Sequence, residues 1–146
     1  EVARAAGAHH LIDSETGDIR EAVRALGGAD VVYDAVGGDQ FKAAMRASNP
    51  GGGLIPIGFA SGEVPQIPAN ILLVKNLSVI GCYWGGYMGF APDILRDSLA
   101  ELFRLYEAGR LHPHIGATYP LERAADALAL MKARKSTGKV VVVMSG

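Results

Sequence analysis

The stretch Ala29-Asp30-Val31-Val32-Tyr33-Asp34 is a β-branched run, followed by Ala35-Val36-Gly37-Gly38. β-Branched and aromatic side chains fit a pleated surface, and paired glycines after such a run mark a sharp turn. The reading is a strand that turns into a helix lined by Phe41, Ala44, Met45 and Ser48. Pro50-Gly51-Gly52-Gly53 breaks that helix, and Leu54-Ile55-Pro56-Ile57 reads as the next strand. Strand, helix and strand at this spacing form a βαβ unit, and such units build parallel sheets through right-handed crossovers. Pro56 donates no ladder hydrogen bond, so one flank there should be unpaired or bulged.

The alternation extends outward on both sides. Upstream, Val2, Ala3, Ala5 and Ala6 lead to a helix stop at Gly7, and His9-His10-Leu11-Ile12 reads as a short strand. Asp18 followed by Glu21 is a capping box in its Asp form. It opens a helix with Ile19, Ala22, Val23 and Leu26 on one face, ended by Gly27-Gly28. Downstream, a loop over 58–68 precedes a short helix over 69–74 and a strand Leu77-Ser78-Val79-Ile80-Gly81-Cys82-Tyr83. Pro92 starts a longer helix, with Leu95, Leu99, Leu102, Phe103 and Tyr106 at helical spacing and Gly109 as its stop. The segment 111–119 reads as turns, 121–134 as a helix, and Lys139-Val140-Val141-Val142-Val143-Met144 as a closing apolar strand.

Composition narrows the function. The chain has 146 residues, 49% of them hydrophobic and 20% charged, which suits a domain with a packed core. Its 14 Lys+Arg against 15 Asp+Glu give a net charge of −1, without the basic footprint that nucleic acid requires. No run of about 18 apolar residues is present, so no membrane span is expected. Cys82 is the single cysteine, which excludes an intramolecular disulfide and suits a reducing, cytoplasmic setting. Glu1-Val2-Ala3-Arg4 is no signal peptide and opens like the tail of a helix, as if the chain had lost its beginning.

Few residues offer chemistry of their own. Asp34, at the carboxyl end of a parallel strand, reads as a structural carboxylate that bonds the next turn. His9, His10, His112 and His114 with one cysteine make no zinc pattern, so no metal site is expected. Ser61 lies outside any G-x-S-x-G elbow, and Cys82, in or just after an apolar strand, reads as a small hydrophobe. Neither a G-x-G-x-x-G fingerprint nor a P-loop occurs. What remains is a glycine-bearing loop after each of three successive strands: Ala35-Val36-Gly37-Gly38, Gly58-Phe59-Ala60-Ser61-Gly62 and Tyr83-Trp84-Gly85-Gly86. Glycine admits a flat ring close to the backbone, whose peptide groups can bond an amide on that ring.

An ordered set of segments then resembles a known family: Gly7-Ala8-His9-His10-Leu11-Ile12, Asp30-Val31-Val32-Tyr33-Asp34-Ala35-Val36-Gly37-Gly38, Gly58-Phe59-Ala60-Ser61-Gly62-Glu63, Ile67-Pro68-Ala69-Asn70, Lys75-Asn76-Leu77-Ser78-Val79-Ile80-Gly81, Tyr83-Trp84-Gly85 and Thr137-Gly138-Lys139-Val140-Val141. Together they resemble the C-terminal part of the zinc-independent NADPH:quinone oxidoreductase branch of the medium-chain dehydrogenase/reductase superfamily. The resemblance implies an α/β fold: an incomplete Rossmann-like parallel sheet with strands 3 to 6 and their helices. Residues 1–110 would be a partial dinucleotide-binding domain lacking strands 1 and 2. Residues 111–146 would be a C-terminal helix and strand returning to the GroES-like substrate domain.

The resemblance also implies NADPH as cofactor, with nicotinamide contacts at Val36, Gly58, Phe59, Ala60, Tyr83, Trp84 and Gly85. Ser14 stands near the place where relatives carry an adenosine-stacking tyrosine, and Ser136 near a further cofactor contact. The implied reaction is hydride transfer to a quinone or enone, with no catalytic acid or base assigned in this chain. A homodimer through the strand 77–83 is implied too. The isolated chain is expected to be inactive, because the pyrophosphate-holding glycine loop belongs to the missing strand 1. The alternative is a non-catalytic Rossmann-type binding and dimerisation module, and a flavodoxin-like domain is disfavoured by the lack of a flavin-phosphate loop.

Overall fold

The computed structural model describes residues 1–14 and 16–144. Within it the chain forms two compact units, one over Ala3–Tyr87 and a second from Met88 onward. The first unit holds α1 (Val2–Ala5), α2 (Ile19–Ala25), β1 (Ala29–Asp34), α3 (Gly38–Ala47), β2 (Ser48–Pro56), α4 (Ala69–Lys75) and β3 (Ser78–Val79). Its sheet has the order β1-β2-β3, and both pairings are parallel. Because the strands advance in one direction with right-handed crossovers, α3 and α4 land on the same sheet face. There Phe41, Met45, Leu54 and Leu77 form the buried core, with Val32, Ile71, Leu72 and Val79 packed around them. On the other face Val31 and Tyr33 are exposed.

Local chemistry explains the element ends. Asp18 caps α2 by accepting a hydrogen bond from the Glu21 N–H at 3.0 Å. In this unit three expectations need correction. His9-His10-Leu11-Ile12 forms no strand, because its backbone has no ladder partner on the β1 edge and a lone extended segment gains nothing from the pleat. The glycines 51–53 do not lie outside β2 but within it. Ala29 pairs with Ser48 and Val31 already with Gly53, so residues 49–52 form a broad bulge. Gly51 (φ +81°) accommodates it without a Cβ penalty.

The expected strand 77–83 shortens to Ser78–Val79, and Pro56 explains why. Ile57 donates to the Asp34 carbonyl at 2.7 Å, while Leu54 accepts from Ile80 at 2.9 Å. Alternation along β2 therefore points the Pro56 nitrogen at β3, where it has no proton to give. The next rung is missing and the ladder stops.

The second unit contains α5 (Tyr87–Phe90, which begins at the last residue of the first unit), α6 (Pro92–Glu107), β4 (Ile115–Pro120), α7 (Ala124–Lys132) and β5 (Lys139–Val143). Strands β4 and β5 pair in parallel, bridged by α7. Residues 115–120 thus form a strand where the sequence reads as turns. Its partner imposes this: a methyl group on Gly116 would overlap the Thr137 carbonyl, and Lys139 donates to the His114 carbonyl at 2.8 Å. In α6, Leu95 is buried, but Phe103 and Tyr106 on the expected apolar face are exposed.

Phe41 is fully buried against Leu54. Replacing it by Ala should cost about 3–5 kcal/mol in urea unfolding, as core aromatic truncations do. Tyr33→Ser, on the exposed face, should stay within about 0.5 kcal/mol.

Candidate functional site

Parallel pairing sends β1, β2 and β3 out of the sheet at one end, and ligands of α/β sheets bind beyond that end. The loop after β1 is set by Asp34. This carboxylate is 8% exposed and accepts from the Gly37 N–H at 2.8 Å and, more loosely, the Val36 N–H at 3.4 Å. The sequence reading of Asp34 as a carboxylate that bonds the next turn holds. Gly37 follows with φ +75° and ψ −155°, a region open in practice to glycine alone. A methyl group there would come within 2.7 Å of the Glu63 carbonyl and 2.9 Å of the Phe59 ring.

The loop after β2 folds onto the first. Ala60 donates to the Ala35 carbonyl at 3.1 Å, Ser61 N–H to the Val36 carbonyl at 3.0 Å, and Gly38 to the Glu63 carbonyl at 3.1 Å. The Ser61 hydroxyl donates to the Val36 carbonyl at 2.7 Å and accepts from the Glu63 N–H at 3.2 Å. Lys42, in the first turns of α3, binds Glu63 and Asp39, each at 2.9 Å. These two carboxylates, Glu63 first, hold the Lys42 ammonium above the ordinary lysine range.

Val36, Gly58, Phe59 and Ala60 are therefore brought together as one hydrogen-bonded shelf. The sequence did not single out Ser61 and Glu63 as its latch. The available signal was a serine two residues before another backbone N–H, the spacing of an ST-turn.

The second loop leaves two adjacent donors over. Among the described residues, the N–H groups of Gly58 and Phe59 make no hydrogen bond. Gly58 is half-buried, and the Phe59 ring is 44% exposed beside Gly37. Tyr83, Trp84 and Gly85 leave the same end of the sheet after β3. Trp84–Gly86 is one 3₁₀ turn, with the Tyr83 ring lying against Gly86. Ser14 is an exposed turn residue ahead of α2. Ser136 belongs to the second unit, half-buried ahead of β5.

This parallel sheet with its ligand edge has a counterpart in known proteins. The sequence profile of the zinc-binding dehydrogenases matches residues 6–142. The chain belongs to that family. A quinone oxidoreductase-like protein 2 homolog from Nematostella vectensis is 44% identical over 140 residues, covering 93% of this chain and 38% of that protein. A 2-haloacrylate reductase from a Burkholderia species is 34% identical over 153 aligned positions, covering 98% of this chain and 44% of the relative. Among solved structures, a mycobacterial protein in complex with NADPH superposes with a TM-score of 0.82 at 28% identity, covering 97% of this chain and 44% of that one. The chain thus spans about two fifths of the length of these family members. Its fold is the α/β Rossmann type of the medium-chain dehydrogenases, and its family is that of oxidoreductases.

Zinc needs three or four ligands, and among the described residues no group of three or more His, Cys, Asp or Glu is placed to hold a metal ion. A nicotinamide ring fits better, since its carboxamide needs donors such as the free N–H groups of Gly58 and Phe59. No helix among the described residues is long and apolar enough to cross a membrane.

Gly37→Ala should lower stability by about 1–3 kcal/mol from forced backbone strain. Hydrogen exchange should show the loss at the amides of Gly38, Ala60 and Ser61, which join the two loops. Exchange changed evenly along the chain would show that the shelf is not the unit affected.

Proposed function

We propose that this chain is the nicotinamide-holding part of an oxidoreductase that reduces a quinone or an activated alkene with NADPH. The observation that carries the reading is the shelf after β1 and β2, latched loop to loop, with the adjacent Gly58 and Phe59 N–H groups left unbonded. Bound NADPH would supply the hydride, as cofactors carry such chemistry.

The residues of the chain do the positioning. Val36, Gly58, Phe59 and Ala60 offer the flat edge. The Gly58 and Phe59 donors orient the carboxamide, and the aromatic rings of Phe59, Tyr83 and Trp84 keep water from the ring face, with Gly85 leaving room beside them. Ser14 is read as lying towards the adenosine and Ser136 as a further contact in the intact protein. No residue here acts as acid or base. Residues 1–110 serve as the dinucleotide-binding portion, and 111–146 as the segment that joins the substrate domain. Two protomers pair through the region 77–83, since β3 ends the sheet and leaves Ile80 56% exposed. The setting is the cytoplasm, and zinc plays no part. The competing reading, a non-catalytic dimerising module, rests on that same open edge.

In the intact protein, Trp84→Ala should raise KM for NADPH several-fold while leaving the melting temperature within about 4 °C, the scale of a surface-level change. A large fall in melting temperature with KM unchanged would make the ring a packing residue. The 146-residue chain alone has no pyrophosphate loop and should bind NADPH no better than millimolar, about −4 kcal/mol. Nicotinamide fluorescence on titration checks this, and micromolar binding would refute it. For the pairing, light scattering should give a dimer that Ile80→Lys weakens. A monomer unaffected by that change removes both the pairing and the competing reading.

A further inference from the structure

The opposite end of the sheet has a different chemistry. At the amino ends of β1 and β2, a cleft of about 350 Å³ is lined by Arg24, Gly27, Gly28, Ser48, Asn49 and Lys75, among others. A second hollow of about 180 Å³ shares Arg24 and Lys75 with it and adds Arg20 and Arg46. Four cations drawn from α2, α3 and α4 thus border the two hollows, with Arg24 and Lys75 common to both.

No acid among the described residues forms an ion pair with them. Arg96, Arg104 and Arg123 each hold a carboxylate within 3.0 Å, whereas Arg20, Arg24 and Arg46 have no ion pair among the described residues. Asp30, near the cleft, keeps its charge, accepts from the Asn49 amide at 2.9 Å and forms no ion pair among the described residues. Glu21, adjacent to Arg20 on α2, has a carboxylate that forms no ion pair among the described residues.

Lys75 is held in place rather than free to leave. Its ammonium donates to the carbonyls of Arg46 at 2.8 Å and Ser48 at 2.7 Å, and more weakly to Met45 at 3.5 Å. It caps the carboxyl end of α3, where a cation opposes the helix dipole. All three of its donors are used, so what it presents to the cleft is charge. Burial first, then the charges of Arg24 and Arg20, push it below the ordinary lysine range. The three arginines keep their planar donor forks unspent, the group suited to bidentate oxyanion recognition.

We propose that this cleft is a binding site for a small multivalent oxyanion of the phosphate or diphosphate class, separate from the cofactor edge at the other end of the sheet. The concavity is compact, which favours a small anion over an extended polymer. The fixed Lys75 charge and the Gly28 turn set its floor, Arg24 closes on the ligand from α2, and Arg46 borders the hollow that shares Arg24 and Lys75 with the cleft. Gly28 stands at φ +86°, and a side chain there would displace the Asn49 amide that lines the cleft.

The test uses inorganic pyrophosphate titrated into the full 146-residue chain at constant ionic strength, followed by amide chemical shifts. Saturable shifts should gather at Gly27, Gly28, Ser48 and Asn49, away from Phe59 and Ala60. Arg24→Gln with Arg46→Gln should weaken binding at least tenfold while amide dispersion elsewhere is kept, since both side chains are exposed. Absence of saturation, shifts at the Phe59 loop instead, or less than tenfold weakening in the double variant would overturn the proposal. Because pyrophosphate carries no nicotinamide, this outcome is independent of the NADPH reading.

Discussion

The parallel ladder between Ala29–Asp34 and Ser48–Pro56 is the constraint on which the rest depends. Parallel strands cannot be joined by a tight turn, so the chain must cross over through α3. That helix delivers Phe41 and Met45 onto Leu54, and the buried contact holds the ladder in register. The ladder also fixes direction. Both strands leave at the same end, so the loops after them meet, and both enter at the same end, where Lys75 and the glycine bulge gather.

At the exit end, a buried carboxylate is used for shape. Asp34 accepts from two backbone N–H groups, and charge-assisted bonds of this kind are about twice as strong as neutral ones. Its position forces Gly37 into a conformation no side chain tolerates, which clears the space that the Phe59 loop occupies. The two loops then satisfy one another almost completely. A surface whose own polar groups are nearly all spent, with two adjacent donors left, is rigid before any ligand arrives, and preorganisation is what an orienting site requires.

At the entry end the logic is reversed. The cations outnumber the acids within reach, and the one lysine that is tied down serves the end of α3. A protein with a net charge of −1 is not basic as a whole, so the local excess reflects arrangement and not composition. The i,i+3 pairs of Arg104 with Glu101 and of Arg123 with Asp126 show what compensation looks like in the same chain.

Much of this was legible in the residues. The run Ala29–Asp34, the Asp18 cap, the glycine stops and the strand-end loops follow from propensities that act over a few neighbours, and they appear where local chemistry places them. The ordered motifs also carried the family. Elements that depend on a distant partner were not legible. Residues 9–12 look like a strand and form none, because extended backbone without a neighbour has nowhere to send its hydrogen bonds. Residues 115–120 look like turns and form a strand, because Lys139–Val143 lies alongside. Pro56 was recognised as a break in pairing, but which neighbour lost its rung was decided by the direction its nitrogen faces. The latch of Ser61 on Val36 and the gathering of Arg24, Arg46 and Lys75 join residues 22 to 51 positions apart. Sequence by itself determined the alternating α/β elements and the glycines at their ends, since those are local energies. Tertiary structure alone decided which groups meet across the ladder and which charges go unanswered, since hydrogen bonding and electrostatics act through space.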